Sequence, residues 1–235
     1  MARRRFFVPE IRNGLAALAG EDAHHLTRVL RVEAGQKYEI SNNCEVWLAE
    51  VKTARKDRVE FRALERVETA EPRVRVALYA ALIRFERMEL LVEKATELGV
   101  EAMTFFAAER SEKGLDRAAE KRLERWRRIA REASEQSRRA RLPEIRGPVA
   151  WREAIEGAEG ARLLLDEAPG ATGILTVEQT DRMSVLVGPE GGWTERERAA
   201  ALEAGWVPVS LGPWILRAET AAIAALAAIN AACST

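Results

Sequence analysis

A glycine-rich loop between a strand and a helix is the strongest constraint that this sequence places on its fold. Residues 183–187 predict a buried strand, and the segment GPEGG at 188–192 follows it directly. Glycines have no Cβ atom, so a ligand can approach their backbone amides and carbonyls closely. Thr194 and Glu197 form a capping-box pattern that predicts a helix ending at Gly205. The pattern predicts a ligand site, although an ordinary turn of an α/β domain has the same form.

A second loop of the same kind follows in the chain. Residues 206–211 predict another strand, and the irregular segment 212–217 leads from it into an apolar helix at 219–232. Glu219 lies in the first turn of this helix, where the helix dipole favours a negative charge. A helix that is apolar on every face packs into a core or an interface. We therefore expect the two loops to follow adjacent strands and to flank one crevice.

The composition restricts the class of protein without indicating a partner. The chain has 235 residues with 37 basic and 37 acidic side chains, so its net charge does not indicate nucleic-acid binding. No apolar segment predicts a membrane span, and no signal peptide is evident. The two cysteines lie far apart, and the two neighbouring histidines cannot supply the three or four convergent ligands of a zinc site. We expect a reduced, cytoplasmic protein that binds no metal and no membrane.

The order of predicted elements indicates two domains. Short alternating runs between residues 37 and 64 predict a small β-barrel-like domain over residues 1–68. A polar stretch that ends at Pro72 marks the boundary. Strands and helices alternate over 72–235, and the strand, helix and strand within 74–106 form a βαβ unit, which requires parallel strands. The second domain is therefore predicted to be of the α/β class with a parallel sheet.

A basic segment at 117–141 is predicted to form one long amphipathic helix. It carries ten positive and four negative side chains. RNA contact and a solvated face with ion pairs between neighbouring turns both explain such a stripe. We predict RNA contact for Arg138, Arg139 and Arg141, because no acidic residue lies between them.

Two further groups of arginines are predicted to contact RNA. The first begins the chain beside two phenylalanines, which suits phosphate contact and base stacking, although a solvated terminus is the alternative. The second lies on the outer face of a helix predicted at 22–32, for which Asp22 is the expected N-cap. The predicted contacts are Arg3, Arg4, Arg5, Arg28 and Arg31.

The two loops together resemble the C-terminal motifs of one enzyme family. GPEGG at 188–192 and LGPWILRAETAA at 211–222 are similar to motifs of the SPOUT-class RNA methyltransferases. Within that class they resemble the ribosomal RNA small subunit methyltransferase E family, which methylates N3 of a uridine. The segments HHLTRVLRVEAG, EKATELGV and EASEQSRRARLPEI agree, so the resemblance runs from Arg5 to Ala228. At Trp214 the chain departs from the family pattern, in which arginine is common.

The resemblance implies a fold, a cofactor and partners. It implies an N-terminal PUA-like RNA-binding β-barrel domain, followed by a SPOUT domain with a parallel sheet and a trefoil knot, which few proteins have. The implied cofactor is S-adenosylmethionine, the implied substrate is 16S ribosomal RNA in the small ribosomal subunit, and the active site is completed in a homodimer. The alternatives are a non-catalytic RNA-binding or ribosome-assembly factor and an enzyme that acts on another RNA, such as transfer RNA.

The family also implies which residues hold the cofactor. S-adenosylmethionine requires backbone hydrogen bonds to its adenine, an apolar slot for the ring and an oxygen near its sulfonium. The residues expected to provide these contacts are Leu165, Asp166, Leu186, Gly188, Pro189, Glu190, Gly191, Gly192, Leu211, Gly212, Ile215, Leu216, Glu219 and Thr220.

Two of the charged residues in these loops are the candidates for catalysis. Uridine N3 carries a weakly acidic proton, so its methylation needs a base or a cation that stabilises the uracil anion. Arg217 is the expected cation or phosphate clamp, and pairing with Glu219 or Glu190 to fix the loop is its alternative. Glu190 is the expected proton acceptor, unless it only binds backbone amides. No Ser-His-Asp or Cys-His arrangement indicates covalent catalysis.

Overall fold

The computed structural model describes residues 4–168 and 170–233, and the chain divides into two compact units. The first unit comprises Met1–Glu71 and Ser134–Leu142, and the second comprises Pro72–Ala133 and Pro143–Thr235. The sequence indicated a boundary at Pro72 but not the inclusion of Ser134–Leu142 in the first unit.

The first unit contains a five-stranded sheet and one helix. Its elements are β1 (Arg5–Phe7), β2 (Leu15–Ala19), α1 (Gly20–Arg28), β3 (Lys37–Ser41), β4 (Val46–Arg55) and β5 (Arg58–Val67). The strands are ordered β1-β3-β4-β5-β2, with β1 parallel to β3 and all other pairs antiparallel. Phe6, Ile40 and Phe61, all fully buried, form the centre of its core.

Helix α1 differs from the prediction at both ends. It begins at Gly20, so Asp22 lies in its first turn and is not its N-cap. It ends at Arg28 because the chain leaves the helical conformation soon afterwards: Arg31 has a left-handed backbone with φ of 52°. The buried face of the helix is formed by Ala23 and Leu26.

The second unit contains seven strands and the other helices of the described chain. Its elements are β6 (Arg75–Ala81), α2 (Phe85–Glu97), β7 (Ala102–Phe106), α3 (Leu115–Glu120), α4 (Leu123–Gln136), β8 (Glu144–Val149), α5 (Trp151–Glu156), β9 (Ala161–Leu165), β10 (Thr172–Gly173), β11 (Arg182–Val187), α6 (Glu195–Glu203), β12 (Val207–Ser210) and α7 (Ala218–Cys233). The last three residues of α4 belong to the first unit. A short 3-10 turn follows β10 at Ile174–Thr176.

These seven strands form one parallel sheet, which confirms the predicted sheet type. The order is β10-β12-β9-β11-β6-β7-β8. The prediction that the two loop-bearing strands are adjacent is wrong, because β9 lies between β11 and β12. All three strands still end at the same edge of the sheet, so their loops come together there.

Each face of the sheet has its own hydrophobic core, because successive side chains of a strand point to opposite faces. On one face Val185 packs with Met88 of α2 and Leu226 of α7. On the other face Leu186 packs with Trp206. The strands are therefore apolar on both sides, as expected for a parallel sheet covered by helices.

The predicted helix at 117–141 is two helices in the structure. An i to i−3 hydrogen bond from the Arg122 amide to the Ala119 carbonyl closes the turn that separates α3 from α4. Helix α4 ends at Gln136 because Arg138 has a left-handed backbone with φ of 57°. The Arg139 amide then bonds to the Ser134 carbonyl at 3.0 Å, as in a Schellman ending.

None of the helices within the described residues is long and apolar enough to cross a membrane. Within the same residues, no cluster of three or more histidine, cysteine, aspartate or glutamate side chains could hold a metal ion.

Candidate functional site

A cleft of about 760 Å³ opens at the carboxyl ends of the parallel strands in the second unit. Open α/β sheets bind ligands at this edge. The loops after β9, β11 and β12 all line it. The predicted site residues among its lining are Leu165, Asp166, Gly188, Pro189, Glu190, Gly191, Gly192, Leu211, Gly212, Ile215, Leu216 and Arg217.

Three predicted cofactor residues do not line the cleft. The Leu186 side chain is fully buried in the core on one face of the sheet, and its neighbour Val187 lines the cleft instead. Thr220 is exposed on α7. Glu219 is 95% buried, as its exposed fraction is 5%, and it contacts a residue of the lining, Arg87.

The glycine loop is shaped by the packing of one tryptophan. Trp193 is buried, and its Nε1 donates to the Leu165 carbonyl at 2.9 Å, which joins this loop to the end of β9. A Cβ on Gly188 would lie 2.9 Å from the Trp193 ring. Any larger residue at Gly188 would therefore displace the ring that joins the two loops.

Arg110 holds the same loop from the other side. Its Nη1 donates to the carbonyls of Gly191 at 2.9 Å and Trp193 at 3.3 Å. A Cβ on Gly191 would lie 3.0 Å from the Arg110 Cβ, closer than ordinary van der Waals contact. The backbone of the loop and the arginine that holds it are thus in direct contact.

The capping box predicted for the next helix is present. The Thr194 Oγ1 accepts from the Glu197 amide at 3.2 Å, and the Thr194 amide donates to Glu197 Oε2 at 3.0 Å. Glu197 is buried, and its Oε1 also accepts from the Glu109 amide at 2.8 Å. This carboxylate therefore fixes the start of α6 against the loop after β7.

Asp166 is bound by an arginine that the sequence did not predict. Arg198 donates to Asp166 from Nε at 2.6 Å and from Nη2 at 3.1 Å. This bidentate hydrogen bond to Asp166 raises the pKa of Arg198 above its usual range. The Asp166 side chain is almost fully buried, so its carboxylate connects the loop after β9 to α6.

Arg87 at the start of α2 connects the two carboxylates of the predicted site. Its guanidinium forms an ion pair with Glu190, and its Nε lies 3.8 Å from Glu219 Oε1. The predicted alternative for Arg217 was pairing with one of these glutamates. Arg87 pairs with both glutamates instead. Arg217 forms no ion pair with any residue that the structure describes.

Glu219 keeps one oxygen without a partner. Its Oε2 is buried and accepts no hydrogen bond from the described residues. Burial of a charged oxygen without a donor is unfavourable. A ligand that donates a hydrogen bond or brings a positive charge to this position would remove that cost.

We predict that Arg87→Met lowers the free energy of unfolding by about 2 kcal/mol, because it leaves the buried Glu219 carboxylate without its cation. The double variant with Glu219→Gln should recover part of this loss, since the glutamine is neutral. Urea unfolding of the two single variants and the double variant measures the coupling. Additive losses would show that the two side chains do not interact.

The sequence analysis did not predict three arginines that line the cleft, which are Arg87, Arg110 and Arg198. Arg87 follows β6, and Arg110 follows β7, so both lie beyond the carboxyl ends of strands in the same parallel sheet. Because both residues follow predicted parallel strands, their positions in the sequence could have indicated that they lie at the ligand-binding edge of the sheet. No sequence pattern indicated that Arg198 lies at the cleft, because its contact with Asp166 depends on how α6 packs.

The structure changes the interpretation of two predicted RNA contacts in the first unit. Arg5 is buried, and its guanidinium donates to Glu39 at 2.8 Å and 3.1 Å and to the Arg138 carbonyl. Arg138 in turn donates to the other oxygen of Glu39 at 2.5 Å. Arg5 therefore stabilises this unit and is not available to RNA. The sequence did not show that Glu39, far away in the chain, provides the acidic partner.

The other predicted RNA contacts are exposed to different degrees. Arg28 and Arg31 are exposed, Arg4 is half-buried, and Arg141 is exposed and pairs with Glu71 at 3.1 Å. Burial lowers the pKa of the half-buried Arg139 to about 10, so it stays charged at neutral pH. Arg3 lies outside the described residues.

Two family models match the chain. The model of an RNA methyltransferase domain matches residues 70–230, which is most of the second unit. The model of an RNA methyltransferase PUA domain matches residues 18–64 in the first unit.

Relatives and solved structures agree with these matches. Ribosomal RNA small subunit methyltransferase E of Synechocystis sp. is 35% identical over 98% of this chain and 78% of its own length. The protein of that name from Mycobacterium bovis is 33% identical over 92% of this chain and 86% of its own length.

A crystal structure of ribosomal RNA small subunit methyltransferase E from Neisseria gonorrhoeae bound to S-adenosyl methionine is similar to the whole chain. It has a TM-score of 0.89 and 32% identity, and the match covers 98% of both chains. A putative methyltransferase from Legionella pneumophila in complex with SAM has a TM-score of 0.90 and 32% identity, over 99% of this chain and 98% of the other.

Proposed function

Because this chain belongs to the ribosomal RNA small subunit methyltransferase E family, we propose that it methylates N3 of a uridine in 16S ribosomal RNA, with S-adenosylmethionine (SAM) as the methyl donor. One feature of the structure carries the proposal. The cleft at the carboxyl edge of the parallel sheet joins the glycine loop to an exposed Arg217 without an ion-pair partner in the described chain. A cofactor site and a cation for the acceptor thus share one cleft.

The residues of the cleft fit SAM. A volume of about 760 Å³ lies within the range of small-molecule sites, roughly 300–1,000 Å³. The backbone of Gly188–Gly192 and of the loop after β12 would bond the adenine, with Leu165 and Val209 beside the ring. Glu190 lines the cleft and provides negative charge for a cationic ligand. The buried Glu219, which contacts Arg87 of the lining and keeps one oxygen without a partner, adds to this charge from behind the lining.

The bound cofactor would supply a methyl group on a positively charged sulfur, ready for displacement by a nucleophile. The protein must then hold the uracil nitrogen in line and stabilise the charge that the nitrogen carries after it loses its proton. Arg217 is exposed at the mouth of the cleft and is not engaged by an acid of the described chain. It is our candidate for binding the uracil anion or a neighbouring phosphate.

Glu190 is our candidate for the proton acceptor. Its carboxylate lines the cleft and is held by Arg87, so it has a fixed position beside the glycine loop. A carboxylate engaged by one arginine still has free lone pairs for a proton donor. The fixed position of Glu190 is the observation that supports this role.

We propose three further properties from the family. The active form is a homodimer, the second unit is knotted, and the protein acts on ribosomal RNA in the cytoplasm, with the first unit contributing to RNA binding. The match of residues 18–64 to an RNA methyltransferase PUA domain supports the last of these. The placement of β12 beyond β9, followed by the packing of α7 on α2, is compatible with a chain that passes back through itself.

The test of the proposed function compares three RNA substrates. Small ribosomal subunits, deproteinised 16S RNA and transfer RNA, all from cells without this protein, are incubated separately with labelled SAM and the purified protein. We expect label in the RNA and a higher rate with subunits, because an assembled surface fixes the target nucleotide. Label in transfer RNA only would assign the enzyme to another RNA. No transfer together with no SAM binding would assign the chain to the non-catalytic RNA-binding factors.

A further inference from the structure

The loop after β12 exposes the most solvent-accessible large apolar side chains of the described chain. Trp214 and Ile215 are both 81% exposed, whereas Trp126, Trp193 and Trp206 are at most 6% exposed. A tryptophan side chain buries roughly 150–250 Å² when it finds a partner. Exposed apolar surface beside a cleft marks a binding site. The indole of Trp214 is therefore placed for a partner that is not part of this chain.

The surroundings of Trp214 favour a nucleic acid base as this partner. Trp214 lines the cleft, and it lies three residues before Arg217, which is exposed and has no ion-pair partner among the residues described. An aromatic face next to a free cation suits single-stranded RNA, because the ring stacks on a base while the cation binds phosphate.

The apolar patch is small, and its flat part is a single indole ring. Trp214 and Ile215, with the half-exposed Leu216, offer on the order of 400 Å². One ring face of Trp214 matches the area of one base, so a single stacked base would cover it.

We propose that Trp214 stacks on an unpaired base of the RNA substrate at the mouth of the cleft. This inference rests on the proposed function, which identifies RNA as the polymer that is bound. A base inside a duplex already has both faces stacked, so this contact selects for a nucleotide that is outside a helix. Trp214 is thereby a specificity-determining residue, and it fixes the plane of a base within reach of the loop that carries Arg217.

The test uses variants that distinguish the effect of the aromatic ring of Trp214 from the effect of its apolar surface area. Trp214→Phe keeps a ring, Trp214→Leu keeps an apolar side chain without a ring, and Trp214→Ala removes both. Leu175→Ala is the matched control, because Leu175 is also a large exposed apolar side chain without a ring, and it does not line the cleft. Binding is measured with fluorescently labelled strands of eight nucleotides, one oligouridylate and one abasic.

We expect Trp214→Ala and Trp214→Leu to weaken oligouridylate binding about tenfold, and Trp214→Phe to stay within about threefold of the wild type. The control Leu175→Ala should leave the affinity for oligouridylate unchanged. The abasic strand should bind all the variants equally, since it offers no base to stack. Because Trp214 is exposed, the thermal stability of its variants should equal that of the wild type.

Three results would overturn the inference. Wild-type affinity of Trp214→Leu would show that apolar area and not stacking matters, and equal losses with the abasic strand would show that no base is bound. Loss of a dimer in sedimentation with unchanged RNA affinity would assign Trp214 to a contact with a second copy of the chain. Base-dependent binding without methyl transfer by the wild type would instead refute the proposed function and leave the stacking contact standing.

Discussion

Replacing Arg217 by alanine is expected to reduce the rate of methyl transfer at least about 100-fold, because the uracil anion loses its cation. The dissociation constant for SAM should change less than about threefold. Arg217 is exposed and forms no ion pair within the described residues, so the fold does not depend on it. Single-turnover transfer to small subunits and calorimetric titration with SAM measure the two quantities separately.

Arg196→Ala is the matched control for this variant. Arg196 is also exposed but lies on α6 outside the lining of the cleft, and its side chain is 90% exposed. We expect the Arg196→Ala variant to transfer the methyl group at the wild-type rate. Equal losses of transfer and of SAM affinity in Arg217→Ala would contradict the assignment and make Arg217 a cofactor or loop residue.

Valine at Gly191 is expected to weaken SAM binding on the order of 100-fold, which corresponds to about 2.7 kcal/mol. Its Cβ would lie 3.0 Å from the Arg110 Cβ, and Arg110 is the residue that holds the Gly191 carbonyl. Arg110 or the loop must therefore give by a few tenths of an ångström, and the branched side chain also blocks the approach of a ligand to the backbone. Calorimetric titration with SAM measures the effect.

Gly173→Val controls for the general cost of valine in this unit, since an added Cβ at Gly173 meets nothing within 4 Å. It should bind SAM like the wild type. Circular dichroism and thermal unfolding must show that the Gly191→Val variant is folded. A folded Gly191→Val variant with unchanged affinity would mean that the glycine loop is a turn and not a cofactor site.

The elements around the glycine loop were predictable because each depends on a local rule. The capping box of Thr194 and Glu197 is a spacing of three residues, and the structure contains both of its hydrogen bonds. The parallel sheet followed from one βαβ unit. The position of the cleft followed from glycines at the end of a strand.

The features that sequence reasoning missed depend on contacts between distant parts of the chain. The order of strands places β9 between β11 and β12, and no local pattern encodes this insertion. The ion pairs of Arg87 and Arg198 connect residues that are far apart in sequence. Charge spacing along a helix could not predict that Glu39 would bind Arg138.

The identity of the modified atom tests the central claim most directly. Small ribosomal subunits from cells without this protein are treated with the purified protein and SAM, and their RNA is digested to nucleosides for mass spectrometry. The proposed function predicts one new 3-methyluridine for each subunit, and none with the Arg217→Ala variant. A methyl group on a ribose oxygen or on another base would contradict the proposed reaction, even if SAM binds in the cleft.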